Sequence, residues 1–285
     1  MYRRHSFLGA LWRHGVLLVF VAFALFPILW VISASFNPAN TLVGQGLIPP
    51  NPSLDNYREV FTSEQYPIAL WIKNSVVIGL ITSTLVVIMT SFAAYAFSRF
   101  RFKGRRTGLF ASLLVQVFPQ MLAAVSIYLL VLSIGRLIPA LGINTHAGLI
   151  MVYLGGAMGV NAWLMKGYLD TIPTSLEESA MIDGASPFQA FYMIILPLAR
   201  PILAVVFMLQ FIGTYSELIL ASVLISSTEK YTLAVGLQLF IQDQYASRWG
   251  VFAAASVLGA LPLVLLFMFL QKYLVSGLTS GAVKG

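Results

Sequence analysis

Apolar residues in this chain run in long blocks, with the polar residues gathered in the gaps between them. Six blocks stand out, at 15–35, 74–98, 109–132, 147–165, 201–222 and 252–274. A helix needs roughly 20 mostly apolar residues to cross the hydrocarbon core of a bilayer, so each block predicts one transmembrane helix. No acidic or basic residue interrupts the chain between His14 and Asp55. Arg3, Arg4 and Arg13 precede the first block as they would in a signal peptide. Its apolar run outlasts the roughly 7 to 15 residues of a signal core, and it reads as a retained anchor. The pattern predicts an all-α integral membrane protein: an N-terminal segment 1–14, a six-helix domain 15–274 and a tail 275–285.

Composition removes the soluble alternatives. Hydrophobic residues make up 59% of the chain and charged ones 9%, against about 45–50% and 25% in an ordinary soluble domain. With a mean hydropathy of +0.86, such a chain would expose large apolar patches in water. Cysteine is absent, which excludes disulfide frameworks, cysteine zinc clusters and thiol chemistry. The net charge of +7 would suit nucleic acid only on a basic soluble face. Its distribution gives another meaning. With the N-terminus inside, 12 of the 17 lysines and arginines fall on inner segments and 5 on outer ones, the bias that sets orientation in membrane proteins. The run Arg99 to Arg106 is the densest part of it; acidic lipid headgroups or RNA are alternative partners for that run.

The outer connections differ in kind. Residues 36–73 are turn-rich and include Asp55-Asn56-Tyr57, 133–146 are short, and 223–251 have an amphipathic middle from Tyr231 to Ile241. Long ordered loops often bind something, although these could simply cap the bundle. The inner connection 166–200 is too apolar for a linker and too interrupted for a span. Thr174 or Ser175, with Glu177 or Glu178 three positions on, predicts a helix start. Gly184 predicts its end. Ser186-Pro187-Phe188-Gln189 predicts a second capped start, with that helix ending at about Leu196 before Pro197. The result is a knob of two short helices cornered at Gly184-Ala185, offering Leu176, Ala180, Met181, Phe188, Phe191, Tyr192 and Ile195 as packing surface.

Glu178-Ser179-Ala180, Gly184, Ile194, Leu196 and Pro197 fall at the spacing of the EAA loop, and the chain thereby resembles the permease subunits of binding-protein-dependent ABC importers. Only Ser179 departs from the usual alanine. Segments Tyr231–Gly236, Phe252–Ala255, Ala260–Pro262 and Gly277–Gly285 resemble the smaller permease of maltose and maltodextrin importers in particular. The resemblance implies a MetI-like type I importer fold with six spans. It implies as partners a MalF-like permease, a homodimeric MalK-like ATPase that carries ATP and magnesium, and an extracytoplasmic sugar-binding protein. It assigns ATPase coupling to Glu178, Ser179, Ala180, Asp183, Gly184, Ala185, Ile194, Leu196 and Pro197. It also assigns tail contacts with the ATPase to Gly281, Val283 and Lys284, and binding-protein contact to Tyr231, Gln242 and Tyr245.

The chain has no G-x-x-x-x-G-K-[ST] loop, so nucleotide phosphates would be bound on another subunit. Glu217 is the one acidic residue inside a predicted span, where it costs about 2.5–3.5 kcal/mol and by default faces a cavity or a partner. It is expected to line the translocation path or touch the partner permease, with a structural pairing to Tyr215 or Ser216 as the alternative. An ion-coupled secondary transporter would ordinarily carry several such groups. A membrane enzyme is disfavoured because His5, His14 and His146 all lie outside the spans. Phe92, Tyr95 and Tyr128 are positioned to stack on a sugar or simply to pack.

Overall fold

A computed structural model describes residues 7–41, 43–241 and 248–280, and within these every regular element is helical. α1 covers Phe7–Ser35 with Pro27 inside it, α2 covers Asp55–Thr62, and α3 runs for 32 residues over Ile68–Arg99. α4, Arg105–Val117, and α5, Gln120–Leu137, form one bent pair. α6 is His146–Leu169, its first turn capped by the Thr145 hydroxyl, which accepts from the Gly148 N–H at 3.0 Å. α7, Ser175–Ile182, and α8, Pro187–Ala190, make the knob. A π-turn over Phe191–Ile195 leads to α9, Leu196–Leu198, and then to α10, Arg200–Tyr215. α11, Ile219–Leu224, α12, Leu233–Gln238, and α13, Trp249–Ser280, complete the order.

Four of these helices (α1, α3, α6 and α13) are long and apolar enough to cross a membrane singly, and six crossings result if each bent pair counts as one. The expected third span is two helices meeting at 102°. Pro119 supplies the reason, because it donates no N–H and drives Phe118 into extended backbone at ψ 126°. The expected fifth span, 201–222, is also not one helix. α10 holds 16 residues, the chain leaves helical geometry at Glu217 and Leu218, and α11 restarts at Ile219.

The chain folds as two compact units, residues 1–69 with 237–260 and residues 70–236 with 261–285. The first is organised by a buried asparagine. The Asn56 side chain donates to the carbonyls of Ser35 (3.0 Å) and Asn37 (2.9 Å), and the Tyr57 and Ser35 hydroxyls pair at 2.8 Å. Arg248 forms an ion pair with Glu59 and lies over the rings of Tyr66 and Phe240. Asn56-Tyr57 thus closes the first loop back onto α1.

The second unit has two buried apolar clusters. One joins Val86, Ala94 and Tyr95 of α3 to Met165 and Leu169 of α6 and to Phe191 and Ile195 of the π-turn. The other joins Ile78, Leu149, Tyr153, Leu220 and Leu224. α4 crosses α6 closely: a Cβ on Gly159 would overlap the Ser112 carbonyl. The Gln116 amide donates to the Gly156 carbonyl at 2.6 Å and accepts from the Val160 N–H at 3.0 Å. It thereby serves two groups one helical turn apart, which an uninterrupted helix would bond to each other.

Candidate functional site

The knob is built largely as its sequence directs, with three departures. Gly184 adopts φ +92°, which side-chain-bearing residues rarely tolerate. Around it the Ala185 N–H reaches the Ala180 carbonyl (2.9 Å) and the Gly184 N–H the Met181 carbonyl (3.1 Å), the paired closure of a Schellman end. Ser186 and Gln189 form a complete capping box. At the first helix, however, the N-cap Thr174 makes no side-chain cap bond. The second helix also does not stop before Pro197. The π-turn widens the backbone, and the helix carries Pro197 on to Leu198 before breaking at Ala199. The third departure concerns the packing surface. Phe191 and Ile195 are buried in this chain's own core, Phe191 against the Tyr95 ring at 4.6 Å. The exposed apolar set is Leu176, Met181, Ile182, Phe188, Tyr192 and Met193, with Ile182, two residues before the corner, at 85% exposure.

Glu177 explains what holds the knob. The sequence offered it only as a capping side chain, whereas the structure buries it. Arg99 Nε donates to Glu177 Oε1 at 2.5 Å, with the two side chains only 9% and 5% exposed. The Tyr95 hydroxyl donates to Oε2 at 2.9 Å, and Arg99 Nη2 donates to the Ile172 carbonyl at 2.9 Å. The end of α3 is thereby tied to the root of the knob. Beside it, Asp170 accepts from Lys166 at 2.5 Å and from Ser98 at 2.6 Å. Partial burial pushes the Asp170 carboxyl up, but those hydrogen bonds and the charges of Lys166 and Arg105 outweigh it and hold it below its ordinary value. The signal for the anchor was an arginine closing one apolar block and an acid opening the next inner segment, but pairing them requires the fold.

Of the expected coupling residues, Glu178, Ser179, Asp183, Gly184 and Pro197 are exposed, and Ala180, Ala185, Ile194 and Leu196 are half-buried. They lie along one stretch of chain, from α7 through the corner and the π-turn to α9. Glu217 lies in the break between α10 and α11. Its Oε1 accepts from the Leu220 N–H (2.8 Å), and its Oε2 accepts from the Ala221 N–H (3.0 Å) and the Tyr153 hydroxyl (2.7 Å). The carboxylate therefore caps the restarted helix, and its side-chain partner is Tyr153, not Tyr215 or Ser216. It also lines a cavity of about 220 Å³ with Tyr153, Gln210 and Thr214.

Tyr231 is half-buried, its ring 6.3 Å from that of Trp71. The segment around it is fastened down. Trp71 Nε1 donates to the Thr228 carbonyl (2.7 Å), Asn74 donates to the carbonyls of Glu229 (2.9 Å) and Tyr231 (3.0 Å), and Gly236 sits on the Trp71 ring, where a Cβ would overlap it. Regular helix covers only Leu233–Gln238 of the expected amphipathic stretch. Gln242, Tyr245, Gly281, Val283 and Lys284 lie outside the described residues. Tyr95 is committed to Glu177, Phe92 lies 5.3 Å from the Phe191 ring, and Tyr128 packs on the second apolar cluster. His146 contacts the Lys230 carbonyl at 2.9 Å, and no group of histidines and carboxylates suited to a metal occurs among the described residues.

Residues 86–280 match the family described as binding-protein-dependent transport system inner membrane component. The chain belongs to this family. It is accordingly a transport component of the inner membrane, a multi-pass permease subunit. Among its relatives is the maltose/maltodextrin transport system permease protein MalG of Vibrio vulnificus, 46% identical over 283 residues that cover 95% of each chain. The protein of the same name from Escherichia coli is 44% identical over the same coverage. In structure the chain is similar to a bacterial ABC transporter involved in the import of the acidic polysaccharide alginate. There the TM-score is 0.73 at 25% identity, covering 96% of this chain and 99% of that one.

Proposed function

We propose that this chain is the smaller permease subunit of an ATP-driven sugar importer, passing maltose or maltodextrin-type oligosaccharide across the membrane from an extracytoplasmic binding protein. The single observation that carries the reading is the knob: an exposed apolar surface around a left-handed glycine corner, fixed to a spanning helix by a buried ion pair. Such a surface suits a socket on another subunit, and the names of the relatives supply the sugar. The partners of this reading are a MalF-like permease, two copies of a MalK-like ATPase holding ATP and magnesium, and the binding protein. Both termini are cytoplasmic. Closure of the ATPase dimer moves the Gly184 corner, and the Arg99–Glu177 tie passes that displacement to α3, so that the cavity opens alternately to either side. Tyr231 to Arg248 face the binding protein, and the 281–285 tail reaches the ATPase. Glu217 and the polar side chains beside it line the path.

The test is ATP hydrolysis by the complete complex reconstituted with its binding protein. Maltose and maltodextrins are expected to stimulate turnover, and only when the binding protein is present. Stimulation by trehalose or an acidic oligosaccharide in their place would reassign the sugar. Turnover indifferent to every sugar, in a complex of full composition, would overturn the importer reading.

A further inference from the structure

The basic run that opens α4 fixes orientation on the charge count, yet its structure is more specific than orientation requires. α4 and α6 are held together where Gly159 meets Ser112 and where Gln116 bonds to α6. On the Arg105 side of that contact a cavity of about 390 Å³ opens between the two helices. Its lining divides by chemistry. Arg105, Arg106 and Lys166 supply three cations, and Leu109, Leu113 and Trp163 supply an apolar wall.

Charge bookkeeping within the cavity narrows the ligand. Lys166 is already paired with Asp170, and Arg105 spends one N–H on the Ser98 carbonyl at 3.2 Å. Arg106 is exposed and has no acidic partner among the described residues, and the first turn of α4 contains no acid. Two guanidinium groups are therefore available for an anion, and the planar guanidinium fork matches a phosphate group. The helices that form the cavity are a spanning helix and half of a bent pair, with the cations in the first turn of one and the last turn of the other. That places the charge at headgroup depth and the apolar wall toward the acyl chains. A soluble anion would use the cations and leave the wall bare. An amphiphile uses both.

We propose that this cavity is a binding site for an anionic phospholipid, its phosphodiester held by Arg105 and Arg106 and an acyl chain lying along Leu109, Leu113 and Trp163. Basic pockets between spanning helices are suited to anionic headgroups. Occupancy would also wedge the α4–α6 pair at the end that adjoins the Ser98, Asp170 and Glu177 anchor, joining lipid composition to the rigidity of the knob's foundation.

The test uses the assembled transporter, with its partner permease and ATPase, and phosphatidylglycerol as the probe with phosphatidylcholine as the neutral control. Native mass spectrometry of the wild type is expected to retain phosphatidylglycerol in preference to phosphatidylcholine. Arg106→Gln is expected to lower that retention about fivefold, and adding Arg105→Gln to lower it about fivefold again, the scale of one basic side chain at an anionic surface. Trp163→Ala, which leaves the charge unchanged, is expected to weaken phosphatidylglycerol as well. Equal retention by the wild type and the double variant, both as intact complexes, would overturn the site. So would displacement of the lipid by glycerol phosphate, which would mark a soluble-anion site. If the double variant does not assemble, a photoactivatable phosphatidylglycerol applied to the wild type decides. Adducts are expected on 105–113 or 163–166, and their absence there sinks the proposal.

Discussion

Glu177 and Arg99 show how one buried pair can carry more structure than a row of exposed ones. Their side chains are almost fully withdrawn from solvent, and the carboxylate's two oxygens are divided between Arg99 and Tyr95. Removing either partner strands the other charge, which costs about 3–5 kcal/mol, whereas replacing both with apolar side chains of similar volume is often neutral. Glu177→Leu alone and Arg99→Met alone are therefore expected each to lower the thermal stability of the purified complex strongly, and the double variant to recover most of the loss. Simple addition of the two single effects would show that the pair is not coupled. Asp170 and Lys166, exposed at 42% and 20%, form the contrasting pair, and their direct contribution is small.

At the scale of elements, the knob is the part of the molecule most fully written into the local sequence. The Ser186 box and the Gly184 corner follow from side-chain hydrogen bonding and from the steric freedom of glycine, both of which act within a few residues. What escaped the sequence depended on partners far along the chain. Glu217 looked like a charge stranded in a span because the run 201–222 is otherwise uncharged and mostly apolar. Its role as a cap is visible only once α11 restarts behind it and Tyr153 arrives from α6. Phe191 and Phe188 are indistinguishable by pattern, yet Phe191 is buried against Tyr95 and Phe188 is exposed. Pro197 is a helix breaker by rule, and it is accommodated here by the same turn. The corner itself gives a sharp expectation. No atom lies within 4 Å of where a Gly184 Cβ would stand, so a side chain there meets only backbone strain inside this chain. Gly184→Ala is expected to cost about 1–2 kcal/mol, and Gly184→Asn less, since asparagine tolerates positive φ. Loss of ATPase from the purified complex in both variants, out of proportion to strain, would report a socket that closes on the corner. ATPase recovered at wild-type yield with the bulkier Gly184→Asp would remove the corner from the contact.

For the whole molecule, the number of membrane crossings decides which loops share a side, and loop parity reads that number where charge is indifferent to it. Among the described residues four helices are long and apolar enough to cross singly, and six crossings require both bent pairs to count. With six crossings, 12 lysines and arginines lie on the side of the N-terminus and 5 opposite; with four, Arg136 changes sides one way and Lys166 and Arg200 the other, giving 11 and 6. Both distributions satisfy the positive-inside bias. Loop parity separates them. Six crossings put Lys103 and Asp183 on one side and Leu137 and Glu229 on the other, whereas four put Lys103 with Leu137 and Asp183 with Glu229. All four positions are exposed, and the native chain contains no cysteine, so a single introduced thiol labels without background. In intact cells a membrane-impermeant maleimide is expected to label Leu137→Cys and Glu229→Cys and to spare Lys103→Cys and Asp183→Cys, with the order reversed in inverted vesicles. The proposed function depends on that outcome through Asp183, because a cytoplasmic ATPase can engage the Gly184 corner only if both face the same side. Labelling of Asp183→Cys from outside would leave the fold intact and sever the knob from its motor.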